Sequence, residues 1–211
     1  MKVDLIIFDL DGTLINSIPD LTDSLNQVST NKLFTENEIA GLVGGGVSKL
    51  IENAFNISST DKAFEKVFNS FLNIYGNNHS RRSYLYNNVI EILKHFNSKK
   101  LVVLSNKLDR FTKQIVKDFD IYQYFDLVLG ATDGIAKKPS GEPIEFILRE
   151  LGILAGKALM VGDSEPDIMT AKKSGIKSIA VTYGYRSRKE LIRLKPDYLI
   201  NDLTELKSIV E

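Results

Sequence analysis

The 211-residue chain contains no cysteine and only two histidines, His79 and His95. The absence of thiols excludes a disulfide framework, a thiolate zinc site, an iron–sulfur cluster and a cysteine nucleophile. With only two histidines, a multi-histidine metal centre is not expected. Lys+Arg and Asp+Glu both number 27, so the chain lacks the basic excess that is typical of proteins binding nucleic acids.

Long apolar runs are also missing from the sequence. No stretch approaches the ~20 apolar residues that span a bilayer, and the first apolar run, residues 5–8, is too short for a signal peptide. Hydrophobic residues make up 43% of the chain and charged residues 26%, which is typical of soluble globular proteins. We therefore expect a cytoplasmic protein of one domain, or one domain with an insertion, that binds neither nucleic acid nor membrane.

Two carboxylates follow the first apolar segment. Residues 3–8 are rich in β-branched side chains, which predicts a strand buried on both faces of a parallel sheet. Asp9 and Asp11 come next, and on an extended chain they point in the same direction. Ligands bind at the carboxyl edge of such sheets. A solvated acidic turn explains this pair equally well when it is considered alone.

A second pair of carboxylates follows a later predicted strand, residues 157–161. Asp163 comes after that strand, and Asp167 lies near the start of the next predicted helix. If these groups meet the first pair, four negative charges share one edge of the sheet and require a hard cation. Mg²⁺ fits best, because it binds a few carboxylates together with water and substrate phosphate.

Two further predicted strands end in groups that suit an anion. Residues 101–104 precede Ser105 and Asn106, whose hydroxyl and backbone N–H groups can hold a phosphate oxygen. Taken alone, Ser105 is more typical of a helix N-cap. Residues 125–129 precede a loop that contains Lys138. Alone, that lysine would be an ordinary solvated charge, but beside four carboxylates it can neutralise an anion.

In this order, the motifs resemble those of the haloacid dehalogenase-like superfamily, and most closely its phosphoglycolate phosphatase group. The resemblance covers essentially the whole chain. It also includes the glycine-rich residues 43–50 and the segment 181–185. The motifs that carry it are Asp9-Leu10-Asp11-Gly12-Thr13, Ser105-Asn106, Lys138-Pro139 and Gly162-Asp163-Ser164-Glu165-Pro166-Asp167.

The resemblance implies a doubly wound parallel α/β core with a small inserted helical cap. The core is expected to comprise residues 1–15 and 85–211, and the cap residues 16–84. The basic run 186–195 is interpreted as a solvated helix face. Hydrophobic spacing and capping signals predict cap helices over residues 19–30, 35–41, 47–54 and 60–77, core helices over 89–96, 110–119, 143–151 and 167–174, and late strands over 178–181 and 198–200.

The resemblance also implies a role for each motif residue. Asp9 is expected to be the nucleophile and Asp11 the general acid and base. Ser105 and the backbone N–H of Asn106 are expected to hold phosphate oxygens, and Lys138 to offset charge and orient the nucleophile. Mg²⁺ is expected on Asp9, the backbone carbonyl of Asp11, Asp163 and Asp167.

Substrate choice is expected to depend on the cap. Gly45 and Gly46 belong to a run of three glycines that exposes backbone N–H groups, and Lys49 is placed to meet a carboxylate. The glycines could equally well do no more than connect two helices. Thr13 is expected to fix the catalytic loop rather than to react.

The function that the resemblance implies is Mg²⁺-dependent hydrolysis of a small-molecule phosphate monoester through a phosphoaspartyl intermediate, with 2-phosphoglycolate as the leading substrate. A broad-specificity phosphatase and a pyrophosphatase stay open. A phosphosugar mutase is less favoured, because residues 16–23 contain no histidine. A phospho-accepting signalling module is the alternative from a different class. Monomer and homodimer both stay open.

Overall fold

The computed structural model describes all 211 residues, and its centre is an open sheet of six parallel strands. Two further short strands pair with each other in a separate antiparallel ribbon. The strands are β1 (Leu5–Phe8), β2 (Ile15–Asn16), β3 (Tyr84–Leu85), β4 (Lys100–Leu108), β5 (Leu127–Ala131), β6 (Ala158–Gly162), β7 (Lys177–Val181) and β8 (Tyr198–Ile200).

Helices separate most of the strands along the chain, as a doubly wound fold requires. None of them is both long and apolar enough to cross a membrane. The α-helices are α1 (Ile18–Val28), α2 (Glu36–Leu42), α3 (Val47–Phe55), α4 (Phe64–Asn78), α5 (Val89–His95), α6 (Asp109–Asp118), α7 (Glu142–Leu151), α8 (Glu165–Lys173), α9 (Arg188–Arg193) and α10 (Leu206–Ile209).

Alternating side chains of the central strands divide the core between the two faces of the sheet. In β1, Ile6 and Phe8 belong to the larger cluster, which also includes side chains of α5 and α6. Leu5 and Ile7 belong to a second cluster with side chains of α7 and α8. Both faces are therefore covered, and the predicted α/β class with a buried parallel sheet is confirmed.

The order of the strands determines where the chain changes direction. The sheet runs β5-β4-β1-β6-β7-β8. Strand β1 is therefore central, with β4 and β5 on one side and β6, β7 and β8 on the other. Ligands in open α/β sheets bind at such a switch point, beyond the carboxyl ends of the strands. Asp9 directly follows β1 and therefore lies at this position.

Helices α1 to α4 lie between the two strands of the short ribbon. Ile15 pairs with Leu85 and Asn16 with Tyr84, so both predicted domain boundaries fall inside this ribbon. We use the name cap for residues 16–84; the division into two domains stays a prediction. The buried carboxylate of Asp20 stabilises the segment that leads from the cap back to the core, because it accepts hydrogen bonds from the backbone N–H groups of residues 82 and 83 at 2.9 and 2.8 Å.

Two element boundaries differ from the sequence prediction by four residues, and the others differ by less. Helix α4 begins at Phe64 rather than at residue 60, because Asp61 instead accepts a hydrogen bond from the backbone N–H of Ser58 at 2.6 Å within a turn. Strand β4 continues to Leu108 rather than ending at residue 104. This second difference shapes the candidate site.

Candidate active site

Three buried carboxylates meet at the carboxyl edge of the sheet. Asp9 follows β1, Asp163 follows β6, and Asp167 lies in the first turn of α8. One oxygen atom from each lies within 4.8 Å of one from each of the others. Ser164 caps α8, and its hydroxyl donates to Asp167 at 2.6 Å, so the cap of this helix also holds a carboxylate in the cluster.

The electrostatics of this cluster suit a divalent cation. Burial, reinforced by the charge of Asp167, raises the pKa of Asp9 well above its ordinary value. The same two causes raise the pKa of Asp163 to about 7. Such shifts show that one nearby lysine does not compensate three carboxylates. Buried carboxylate oxygens are the hard ligands that divalent cations such as Mg²⁺ prefer.

Lys138 is the lysine of this cluster, and its ammonium group is fully engaged. Its Nζ lies 2.8 Å from Oδ1 of Asp9 and 2.6 Å from Oδ1 of Asp167. The third donor goes to the carbonyl of Leu104 at 2.9 Å. Burial alone would lower the pKa of Lys138, but the two carboxylates outweigh it and the pKa is raised. The lysine is therefore a fixed cation that orients Asp9.

Asp11 lies outside the three-carboxylate cluster and has a different partner. Its Oδ1 accepts a hydrogen bond from Nζ of Lys107 at 2.8 Å, and the same ammonium donates to the hydroxyl of Tyr75 at 2.8 Å. Burial would lower the pKa of Lys107, but Asp11 and Tyr75 reverse this effect and the pKa is raised. Tyr75 belongs to α4, so this contact joins the cap to the core.

A bulge at the end of β4 presents Ser105, Asn106 and Lys107. Leu104 pairs with residue 129 of β5 and Leu108 with residue 131, so four residues of β4 span what two residues of β5 span. Bulges of this kind redirect side chains beside functional sites. The reading of Ser105 as a helix N-cap is wrong, because the strand continues past it and the next helix starts at residue 109.

The Asn106 side chain joins two loops at the site. Its Nδ2 donates to the carbonyl of Gly44 in the cap at 2.9 Å and to the carbonyl of Lys138 at 2.8 Å. The cap backbone passes so close here that a Cβ on Gly46 would lie 2.9 Å from the carbonyl oxygen of Asn106. Gly46 also has φ +85°, so both its conformation and its surroundings favour glycine.

The core and the cap enclose one cavity of about 60 Å³. This is a few times the ~10–15 Å³ that holds one water molecule, so the closed site suits a small ligand. On the core side it is lined by Asp9, Asp11, Ser105, Asn106, Lys107, Leu108, Phe111, Lys138, Asp163, Ser164, Tyr185 and Arg186; on the cap side by Leu21, Val43, Gly44, Gly46, Val47, Leu50, Phe71 and Tyr75.

Apart from Asp167, which belongs to the carboxylate cluster, three residues expected at the site do not line this cavity. The expectation that Lys49 meets a substrate carboxylate is wrong. Its ammonium lies 3.5 Å from Glu52 on the outer surface, and 59% of its side chain is exposed. Val47 and Leu50 of α3, three positions apart, share the cavity-facing side, whereas Lys49 projects elsewhere. Gly45 also lies outside the cavity lining.

Thr13 is the third of these residues. It is fully buried, and its carbonyl accepts a hydrogen bond from the Tyr183 hydroxyl at 2.8 Å. This contact agrees with the expectation that Thr13 supports the catalytic loop rather than touching a ligand.

Several residues that line the cavity had no expected role, among them the polar side chains of Tyr75, Lys107, Tyr185 and Arg186. Lys107 adjoins the Ser105 motif, and Tyr75 follows the cavity residue Phe71 at helical spacing, so each had a local signal. The contacts of Arg186 show that the interpretation of residues 186–195 as a solvated helix face is wrong for this residue. It precedes α9 and donates to the carbonyls of residues 40 and 43 in the cap, at 2.8 and 2.6 Å.

Comparison with known proteins agrees with this geometry. The family model for haloacid dehalogenase-like hydrolases matches residues 6–181, which include all four motifs. The chain therefore belongs to the haloacid dehalogenase-like hydrolase family, and it is a phosphatase.

Within this family the chain is similar to proteins named phosphoglycolate phosphatase. The one from Nitrosococcus oceani is 32% identical over 216 residues, covering 98% of this chain and 96% of the relative. The one from Vibrio vulnificus is 32% identical over 220 residues, covering 99% and 96%. A crystal structure of a predicted phosphoglycolate phosphatase from Haemophilus somnus superimposes with a TM-score of 0.91 at 30% identity, covering 99% of this chain and 98% of that one.

Proposed function

We propose that this phosphatase hydrolyses a small carboxylated phosphate monoester, with 2-phosphoglycolate as the leading substrate, through a phosphoaspartyl intermediate on Asp9. The observation that carries the proposal is the state of the Asp9 carboxylate. Lys138 holds one oxygen at 2.8 Å, while the other accepts no hydrogen bond from the protein and the residue lines the cavity. One oxygen is thus oriented and the other is free to attack phosphorus.

Asp11 is the group we assign to proton transfer. It lies two residues from Asp9, lines the same cavity and stays outside the cluster that suits a metal. In the first step, its proton would pass to the ester oxygen as the bond from phosphorus to that oxygen breaks. In the second step, it would take a proton from the water that attacks the aspartyl phosphate, which restores the Asp9 carboxylate and the protonated form of Asp11.

The buried acidic cluster fits a divalent cation, and we propose Mg²⁺. Asp9, Asp163 and Asp167 would hold it, together with the backbone carbonyl of Asp11. When bound, Mg²⁺ would supply charge neutralisation on the transferring phosphoryl group. The side chain of Ser105 and the backbone N–H of Asn106 would position the same group, and the Lys138 ammonium, held on Asp9, would offset its charge. Phosphoryl transfer gains most of its acceleration from such positioning and charge stabilisation.

Two features support a small substrate with a compact tail. The cavity between core and cap is about 60 Å³, which suits a compact phosphate ester better than a nucleotide while the cap holds this position. Proteins to which the chain is similar over its full length are named phosphoglycolate phosphatase.

The test is phosphate release from a panel of esters with Mg²⁺ and with EDTA. The panel contains 2-phosphoglycolate, pyrophosphate, several sugar phosphates, nucleotides and an aryl phosphate. We expect Mg²⁺-dependent turnover, with kcat/KM for 2-phosphoglycolate ~100-fold above the others, which corresponds to about 2.7 kcal/mol of transition-state discrimination.

The alternatives predict different outcomes of the same panel. A flat profile would indicate a broad-specificity phosphatase, and a preference for pyrophosphate would indicate a pyrophosphatase. Isomerised sugar phosphate without phosphate release would indicate a mutase. The membership in a phosphatase family argues against the non-catalytic signalling alternative, as does the burial of Asp9 beneath the cap.

A further inference from the structure

We infer that Lys107 and Tyr75 together form the subsite that binds the carboxylate of the substrate, and that these two residues determine specificity for an acidic tail. The inference rests on the proposed function and deepens it, since it names the part of the site that distinguishes 2-phosphoglycolate from uncharged esters. It assigns this task to a core lysine and a cap tyrosine rather than to Lys49.

The first argument is that both residues have a hydrogen-bond donor to spare. An ammonium group has three donors, and Lys107 uses two, on Asp11 and Tyr75. The Tyr75 hydroxyl accepts from Lys107 but has no protein acceptor for its own proton. Burial raises the pKa of Tyr75 to about 12, so the hydroxyl keeps that proton at neutral pH. Two free donors 2.8 Å apart match the two oxygens of a carboxylate.

The second argument is that the other cations are already engaged. Lys138 directs its three donors at Asp9, Asp167 and the carbonyl of Leu104. Arg186 holds the cap with one hydrogen bond from each terminal nitrogen to a cap carbonyl, which fixes its guanidinium against the backbone of residues 40 and 43. Among the cap residues that line the cavity, Tyr75 alone has a polar side chain. A polar group that is buried in an apolar wall needs a partner to offset its desolvation.

The third argument is distance. A proton donor on Asp11 must lie about 3 Å from the ester oxygen. Since Lys107 Nζ lies 2.8 Å from Asp11 Oδ1, it lies at most about 6 Å from that ester oxygen. A carboxylate on the adjacent carbon carries its oxygens roughly 3 Å from the ester oxygen. A carboxylate oxygen that points from the ester oxygen toward Lys107 can therefore lie within hydrogen-bond length of Nζ.

The experiment uses two substrates that differ only in tail charge: 2-phosphoglycolate and the phosphate ester of glycolamide. Their kcat/KM values are measured for the wild type, Lys107→Met, Tyr75→Phe and the control Lys62→Met, which changes an exposed cap lysine. We expect the wild type to prefer the carboxylate. Lys107→Met should lower this preference by roughly 30- to 100-fold and Tyr75→Phe by roughly 5- to 10-fold, and Lys62→Met should leave it unchanged.

The ratio of the two kcat/KM values reports on the carboxylate subsite alone, because any damage to Asp11 lowers turnover of both esters alike. Equal losses on both esters would overturn the inference while leaving the phosphatase assignment intact, as would a wild type that shows no preference. A wild type that hydrolyses neither ester would instead overturn the proposed function. If Lys107→Met does not fold, Tyr75→Phe still decides, because it removes one oxygen and keeps the ring stacked on Phe71 at 5.4 Å.

Discussion

The core and the cap contribute opposite kinds of surface to one cavity. Ten of the twelve core residues that line it are polar or charged, whereas seven of the eight cap residues are apolar or glycine. Every carboxylate and every cation at the cavity belongs to the core. We take this difference to mean that the core carries the chemistry, while the cap excludes water and shapes the space beside the reacting atoms.

Tyr75 is the exception that refines this comparison. It is the one polar side chain that the cap presents, and it meets Lys107 of the core at 2.8 Å. A hydrogen bond at that junction ties the arrangement of the cap to a charged group of the core. Changes to the reacting groups of the core should therefore stop turnover, while changes in the cap, or where the core contacts it, should alter substrate choice or affinity.

The largest effect is expected from the core substitution Asp9→Asn. Loss of the nucleophile should lower kcat for phosphate release by on the order of 10⁴-fold, with the fold retained because the amide has nearly the same shape. The matched control is Asp4→Asn, at the opposite end of the same strand, where the side chain is exposed. A variant of Asp9 that keeps more than a tenth of the activity would contradict the division of roles.

The acidic cluster should also make the stability of the metal-free protein depend on pH. Burial and Asp167 raise the pKa of Asp163 from 3.8 to about 7, and Asp9 is shifted in the same direction. Between these values the folded state binds more protons than the unfolded chain, so the free energy of unfolding falls as the pH rises.

Thermal unfolding in EDTA checks this sign. The Tm should fall by at least about 3 °C between pH 5 and pH 8, roughly 1 kcal/mol for a chain of this size. Mg²⁺ should raise the Tm more at pH 8 than at pH 5, because deprotonated carboxylates bind it. The variant Asp163→Asn should flatten the dependence. A Tm that rises with pH in EDTA would contradict the prediction that deprotonation of the buried carboxylates destabilises the folded protein.

A smaller effect is expected where the core holds the cap. Arg186 donates to the carbonyls of residues 40 and 43, and Arg186→Met should loosen that contact. We expect KM to rise roughly 10-fold with kcat changed less, because closure binds the substrate but the reacting groups are elsewhere. Arg188→Met, at an exposed neighbouring arginine, is the control. An equal fall in kcat would place Arg186 in the chemistry instead.

The smallest effect is expected for the cap substitution Lys49→Met. The ammonium pairs with Glu52 at 3.5 Å on an exposed surface, and such pairs contribute little. Steady-state kinetics should give kcat/KM for 2-phosphoglycolate within about 2-fold of the wild type. A selective loss on the carboxylated substrate would return the carboxylate subsite to Lys49.

The sequence predicted best what depends on neighbours along the chain. A buried strand followed at once by acids placed Asp9 and Asp163 at the sheet edge, since period-2 geometry and the position of strand ends are local properties. The class of fold followed from the same pattern.

What the sequence did not predict depends on contacts between distant segments. Lys107 and Tyr75 are 32 positions apart, and only the folded cap brings them together. The bulge in β4 has no sequence pattern of its own, so the sequence predicts a strand that ends at residue 104, whereas β4 continues to Leu108. The expectation that Lys49 contacts the substrate rests on its position just after the glycine run. Packing decides which face of a helix lines a cavity, and Lys49 lies on another face of α3.

The central claim, that Asp9 accepts the phosphoryl group, has a direct test. A single turnover of 2-phosphoglycolate with Mg²⁺ is quenched in acid, the protein is digested, and the peptides are analysed by mass spectrometry. We predict a phosphoryl group on the peptide containing Asp9, sensitive to hydroxylamine and absent from Asp9→Asn. Complete phosphate release with that peptide unmodified at every time point, or with the label on another residue, would contradict the account.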